Sequence, residues 1–98
     1  MAQKPMSLEP ITIKAYIGSN NQTGVLEVDK LVDIVNKEHD GFTIDYPVTG
    51  YWKGRPEDTA VLTLHDTTYK VMQTLELIKL ELQQEAIAYQ VEPDIYFI

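Results

Sequence analysis

The chain has no cysteine. That excludes disulfides, thiolate metal sites and cysteine nucleophiles. Positive charge is also scarce: eight Lys and Arg stand against fifteen Asp and Glu, a formal net charge of −7. A nucleic-acid binder needs a basic stripe to neutralise phosphates, and eight scattered cations do not make one. Nucleic acid is therefore not an expected partner. No apolar run approaches the roughly 20 residues that span a bilayer, so no membrane partner is expected. The opening Met1-Ala2-Gln3-Lys4-Pro5-Met6 lacks the apolar core of a signal peptide. The expectation is a cytoplasmic protein. Aromatic rings other than tyrosine are few, with one Trp and two Phe.

What is present is the material of one domain. The 98 residues leave no room for a second core. A 44% hydrophobic content is ordinary for a globular protein and argues against disorder. Glu27, Asp29 and Asp33 are interleaved with Lys30 and Lys37. The acids thus belong to a solvated helix face rather than to an imitation of DNA.

Residues 1–10 hold two prolines and little periodicity, so they are expected to be a flexible lead-in to a domain at 11–98. Ile11, Ile13, Ala15 and Ile17 alternate with Thr12, Lys14 and Tyr16, the period of a half-buried strand. A polar loop over 18–24 follows. Val28, Leu31, Val32 and Val35 fall at helical spacing and predict a helix over roughly 27–38. Gly41 is placed to stop it in a left-handed cap. Phe42, Ile44 and Tyr46 predict a second strand, Pro47-Val48-Thr49-Gly50 a turn, and Ala60, Leu62 and Leu64 a third strand. Asp66 or Thr67 can cap the next helix, with Val71, Leu75, Ile78 and Leu82 on its buried face and Met72 and Leu77 widening it. Ile87, Tyr89 and Val91 predict a fourth strand, and the apolar run Ile95, Tyr96, Phe97 and Ile98 a short extra C-terminal one.

Two strand-helix-strand units in this order specify the fold class: α+β, a ferredoxin-like βαββαβ two-layer sandwich with both helices on one face. The other face would carry Thr12, Lys14, Tyr16, Val61, Thr63 and His65. A half-apolar uncovered sheet face and an apolar tail both point to a partner surface. Ile95, Tyr96, Phe97 and Ile98 are the candidate oligomer interface, and a homo-oligomer is expected.

Catalytic patterns are thin. His39-Asp40 and His65-Asp66 are the His-Asp neighbours, but adjacent strand residues point to opposite faces. Neither serine lies in a nucleophile elbow. Metal sites need three or four convergent ligands, and no such spacing occurs. Neither cofactor nor metal is expected. The 18–24 loop lacks both phosphate-binding glycine signatures and opens a helix bearing Glu27 and Asp29. It reads as a plain connection. The richest stretch is Tyr51-Trp52-Lys53-Gly54-Arg55, with the only Trp and the only Arg. An aromatic platform beside two cations suits a planar anion, and Trp and Arg also dominate protein interfaces. Tyr51, Trp52, Lys53 and Arg55 are therefore the candidate ligand- or partner-binding residues.

The segments Ile17-Gly18-Ser19-Asn20-Asn21, Gly41-Phe42-Thr43-Ile44, Gly50-Tyr51-Trp52-Lys53-Gly54, Glu57-Asp58-Thr59 and Gln84-Glu85-Ala86-Ile87 resemble those of a group of short uncharacterised bacteriophage and bacterial proteins. The resemblance supplies no site residues. It implies a phage or bacterial origin and, for a phage protein, a host factor or signal molecule as target. Three functions follow for testing: a non-enzymatic, self-associating protein-interaction module; a binder of a small anionic ligand such as a nucleotide; and a small enzyme using His65 and Asp66.

Overall fold

A computed structural model describes residues 9–92. Six elements follow in the order β1 (Pro10–Ile17), α1 (Val28–Asn36), β2 (Phe42–Trp52), β3 (Arg55–Thr67), α2 (Thr68–Glu81) and β4 (Ala88–Glu92). The strands form one sheet in the order β2-β3-β1-β4, and each neighbouring pair is antiparallel. This is the ferredoxin-like βαββαβ arrangement that the alternation of patterns predicts. The candidate interface residues Ile95, Tyr96, Phe97 and Ile98, with the extra strand expected there, lie outside the described residues. Pro10, assigned to the lead-in by sequence, is the first residue of β1.

The period of two in β1 and β3 builds the core. Ile13, Ala15 and Ile17 pair in register with Leu64, Leu62 and Ala60, and all six are fully buried on one face. Leu31, Ile34 and Val35 of α1, Val71, Leu75 and Ile78 of α2, and Leu82 just beyond it cover that face. Each such aliphatic side chain contributes about 1.5–3 kcal/mol by leaving water. α2 starts where the Thr67 hydroxyl accepts the Lys70 N–H at 3.3 Å. The register also sets Thr12 opposite His65, Lys14 opposite Thr63 and Tyr16 opposite Val61 on the uncovered face, as alternation requires.

Three local expectations fail. α1 ends at Asn36, and Gly41 does not take a positive φ. The N–H groups of Glu38 and His39 both donate to the Val35 carbonyl, and His39 then turns inward. The chain has thus left the helix before Gly41. Leu77 faces water at 41% exposure, and Thr74 takes the buried position instead. Finally, Pro47-Val48-Thr49-Gly50 is not a turn but part of β2.

Candidate functional site

The β2–β3 hairpin builds the site. Its register steps from Asp45↔Val61 to Val48↔Thr59, with one extra residue on β2. Pro47, which has no N–H to give a ladder, falls inside this bulge. The strands then continue to a two-residue turn, Lys53-Gly54, with φ of 51° and 77°. Positive φ at both central residues matches the twist of the flanking strands. Trp52↔Arg55, Gly50↔Glu57 and Val48↔Thr59 are register partners, so these side chains share the face that carries Val61.

A cleft of about 400 Å³ opens between the hairpin, β1 and the loop after α2. Tyr16, Val48, Trp52 and Val61 give it aromatic and aliphatic walls, with Glu57, Gln84 and Glu85 as polar lining. Two glycines allow the close approach. A Cβ on Gly18 would lie 2.6 Å from Glu57 Oε1, and one on Gly50 would lie 2.5 Å from Thr59 Oγ1. Gln84 stitches the floor: its Oε1 accepts the Gly18 N–H, and its Nε2 donates to the Gly18, Ser19 and Leu82 carbonyls, all at 3.1 Å.

The backbone amides of the 18–24 loop are all taken, so it offers no amide nest to a phosphate. The amides of Gly18 and Ser19 go to Gln84 and Glu57. Those of Asn20, Asn21 and Gly24 go to backbone carbonyls. Asn20 Oδ1 takes Gln22 and Thr23, and the Thr23 hydroxyl takes Val25. The loop is a connection held by its own residues and by Glu57, Gln83 and Gln84, and it shapes one edge of the site.

The four sequence candidates meet different fates. Trp52 Nε1 and Lys53 Nζ both donate to the Glu85 carboxylate, to Oε2 and Oε1 respectively, each at 3.1 Å. Lys53 Nζ also lies 5.8 Å from the Trp52 ring centroid, within cation–π range. The hydrogen bond from Lys53, then that from Trp52, holds the Glu85 carboxyl below its ordinary range. The charge of Lys53 is thus committed, which its sequence did not suggest. Arg55 makes no ion pair or side-chain hydrogen bond among the described residues. It lines a second depression of about 670 Å³ with Ser19, Asn20 and Asn21, which shares Trp52 and Glu57 with the first. Tyr51 sits at the rim of the cleft and is 73% exposed. Gln84 and Glu85 escaped the sequence reading, because they reach the site from a segment distant in sequence; Tyr16 comes from the uncovered sheet face, and Glu57 lies two residues beyond Arg55 on the same strand.

The histidines do not form the suggested dyad. His65 Nδ1 bonds the Thr12 hydroxyl at 2.7 Å on the uncovered face. Asp66, one residue on, bonds His39 Nδ1 at 2.9 Å, and His39 Nε2 bonds the buried Thr74 hydroxyl at 2.7 Å. The alternation of β3 sends His65 and Asp66 to opposite sides, which removes the geometric basis of a His65/Asp66 active site. Among the described residues no three His, Asp or Glu side chains converge to hold a metal ion. No helix among them is long and apolar enough to cross a membrane.

No protein-family model matches the chain, and neither does any curated sequence. Similarity appears in three dimensions. A DUF3240 family protein from Shewanella baltica OS155 superposes with a TM-score of 0.63 at 13% identity, over 89% of this chain and 92% of that one. A nitrogen regulatory PII-like protein, CPII from Thiomonas intermedia K12, bound to ADP, AMP and bicarbonate, gives 0.59 at 13% identity, over 86% and 89%. The de novo designed protein Foldit4 gives 0.59 at 15% identity, over 89% and 100%. Likeness at these identities establishes the fold. That a designed protein shares it shows that the fold alone carries no function.

Proposed function

We propose that this chain is a non-enzymatic binding module whose hairpin cleft takes a small planar anion of the nucleotide class. The observation that carries the reading is the aromatic-walled cleft of about 400 Å³ flanked by the uncommitted Arg55. Its volume falls in the range of small-molecule sites, which pair apolar walls with a few polar groups. The Trp52 and Tyr16 rings suit a flat heterocycle. Glu57 and Gln84 offer acceptors to its amino group. Arg55, across Trp52, offers a planar fork to a phosphate. The structural neighbour that holds ADP and AMP supports the same ligand class. Trp52, the sole tryptophan, is its own reporter. Titration with AMP, ADP and ATP is expected to quench its fluorescence. Arg55→Ala is expected to weaken binding about tenfold or more, the usual cost of losing a charge-assisted hydrogen bond. A flat response across that panel refutes the reading.

Self-association is a second property, supported by a separate observation. Among the described residues β4 pairs only with β1, and its Tyr89 and Val91 are 46% and 54% exposed. An open, apolar strand edge is a template for another strand. Native mass spectrometry is expected to find a dimer or larger assembly, weakened by Val91→Lys. A monomer at every concentration rejects it.

A further inference from the structure

We infer that Glu85 is a built-in competitor for the ligand's phosphate: its carboxylate holds the Trp52 and Lys53 donors until a phosphoryl group displaces it and frees the hairpin end. This rests on the cleft reading proposed above and specifies which group holds two of its donors and what displaces that group.

The first argument is geometric. Two donors of different kinds, an indole N–H and an ammonium, converge on the two oxygens of one carboxylate at 3.1 Å each. That is an anion site with an anion already in it. The anion comes from the loop after α2, and the donors come from the last residue of β2 and the first of the turn. Among the described residues, these are the side-chain hydrogen bonds that tie positions 49–56 to the rest of the chain outside the hairpin. Glu85 is thus the strap that fastens the hairpin end to the loop after α2.

The second argument concerns strength. The side chains of Lys53 and Glu85 are 68% and 54% exposed. Water and salt screen an ion pair so placed, and such pairs hold weakly. The strap is therefore exchangeable. Its natural competitor carries more charge and more acceptors than a carboxylate. A phosphate monoester bears about −1.5 to −2 at neutral pH and offers three acceptor oxygens. It can take the indole N–H and Lys53 in place of Glu85 and still has an oxygen for Arg55, which lines the adjoining depression with Trp52 and has no ion pair among the described residues. The exchange thus selects phosphorylated ligands over their uncharged nucleosides.

Glu85→Gln tests this directly, because glutamine keeps an acceptor for the indole but removes the competing charge. Isothermal titration calorimetry of the full chain with AMP, ADP and adenosine is expected to show AMP and ADP binding roughly threefold to tenfold more tightly than in the parent. Adenosine is expected not to change. Asp33→Asn, which removes one charge from the exposed face of α1 and touches neither the cleft nor the depression beside Glu85, is expected to leave all three affinities unaltered. In a Lys53→Gln background, Glu85→Gln should have a smaller effect, since the carboxylate then holds only the Trp52 N–H; an undiminished effect would overturn the role given to Lys53. Equal AMP affinity in the parent and Glu85→Gln overturns the competition and leaves the cleft reading standing. A gain of the same size in Asp33→Asn also overturns it, by tracing the effect to net charge. Weaker binding in Glu85→Gln overturns it by making Glu85 a ligand. No binding of any nucleotide to any variant overturns both the competition and the cleft.

Discussion

His39 is 3% exposed, yet both ring nitrogens have partners, which is what makes a buried imidazole tolerable. It ties the chain after α1 to the end of β3 and to the middle of α2. His39→Leu would keep the volume and strand the Thr74 hydroxyl. The expected loss is about 1–3 kcal/mol, read as an earlier denaturant midpoint. An unchanged midpoint would show that the network orients without stabilising. Asp66 adds a pH dependence. Burial pulls its carboxyl upward, but the Thr67 N–H, the His39 ring and the Lys70 ammonium outweigh burial and hold it below the usual range. A folded-state value below the unfolded one, about 3.9, stabilises fully above that value. The contribution then disappears as pH falls through the depressed folded value. Asp66→Asn is expected to flatten the acid side of the Tm–pH curve below about pH 5. The same acid slope in the variant would assign the effect to other carboxylates.

At the scale of elements, the hairpin is where the sequence misleads. Pro47-Val48-Thr49-Gly50 has turn composition, but the bulge absorbs Pro47, and Gly50 is needed for the approach of Thr59. The true turn, Lys53-Gly54, carries a weaker signal, one glycine at φ 77°. Gly54→Val forces a branched side chain into that left-handed conformation. The expected cost is about 1–2 kcal/mol, concentrated in the hairpin end. Hydrogen exchange is expected to speed up at 50–57 and not in β1, and uniform loss of protection would contradict this. β1, α2 and the βαββαβ order were legible because the periods of two and 3.6 are local. The site was legible only by residue type. Trp52, Lys53 and Arg55 stand out as rare side chains, but nothing in their neighbourhood names Glu85, about 30 residues on, as the group that occupies two of them. Nor does alternation alone say that Tyr16 faces a cleft rather than water.

For the whole molecule, charge and edge pull in opposite directions. Each copy carries −7, so two copies repel over the Debye length, about 10 Å at 0.1 M salt and about 30 Å at 0.01 M. The proposed pairing through the edge of β4, with Tyr89 and Val91 beside it, would be driven by apolar burial and backbone hydrogen bonds, which salt leaves largely intact. Assembly through this edge should therefore strengthen as salt rises, because screening removes the repulsion and spares the attraction. Light scattering between 0.01 and 0.3 M salt is expected to show a rising weight-average mass. Nucleotide binding at the proposed cleft should respond in the other sense, since an Arg55–phosphate attraction would be screened as well. A falling mass would mean that copies meet through ion pairs instead. The cations of the hairpin end, Lys53 and Arg55, would then be the first place to look for them.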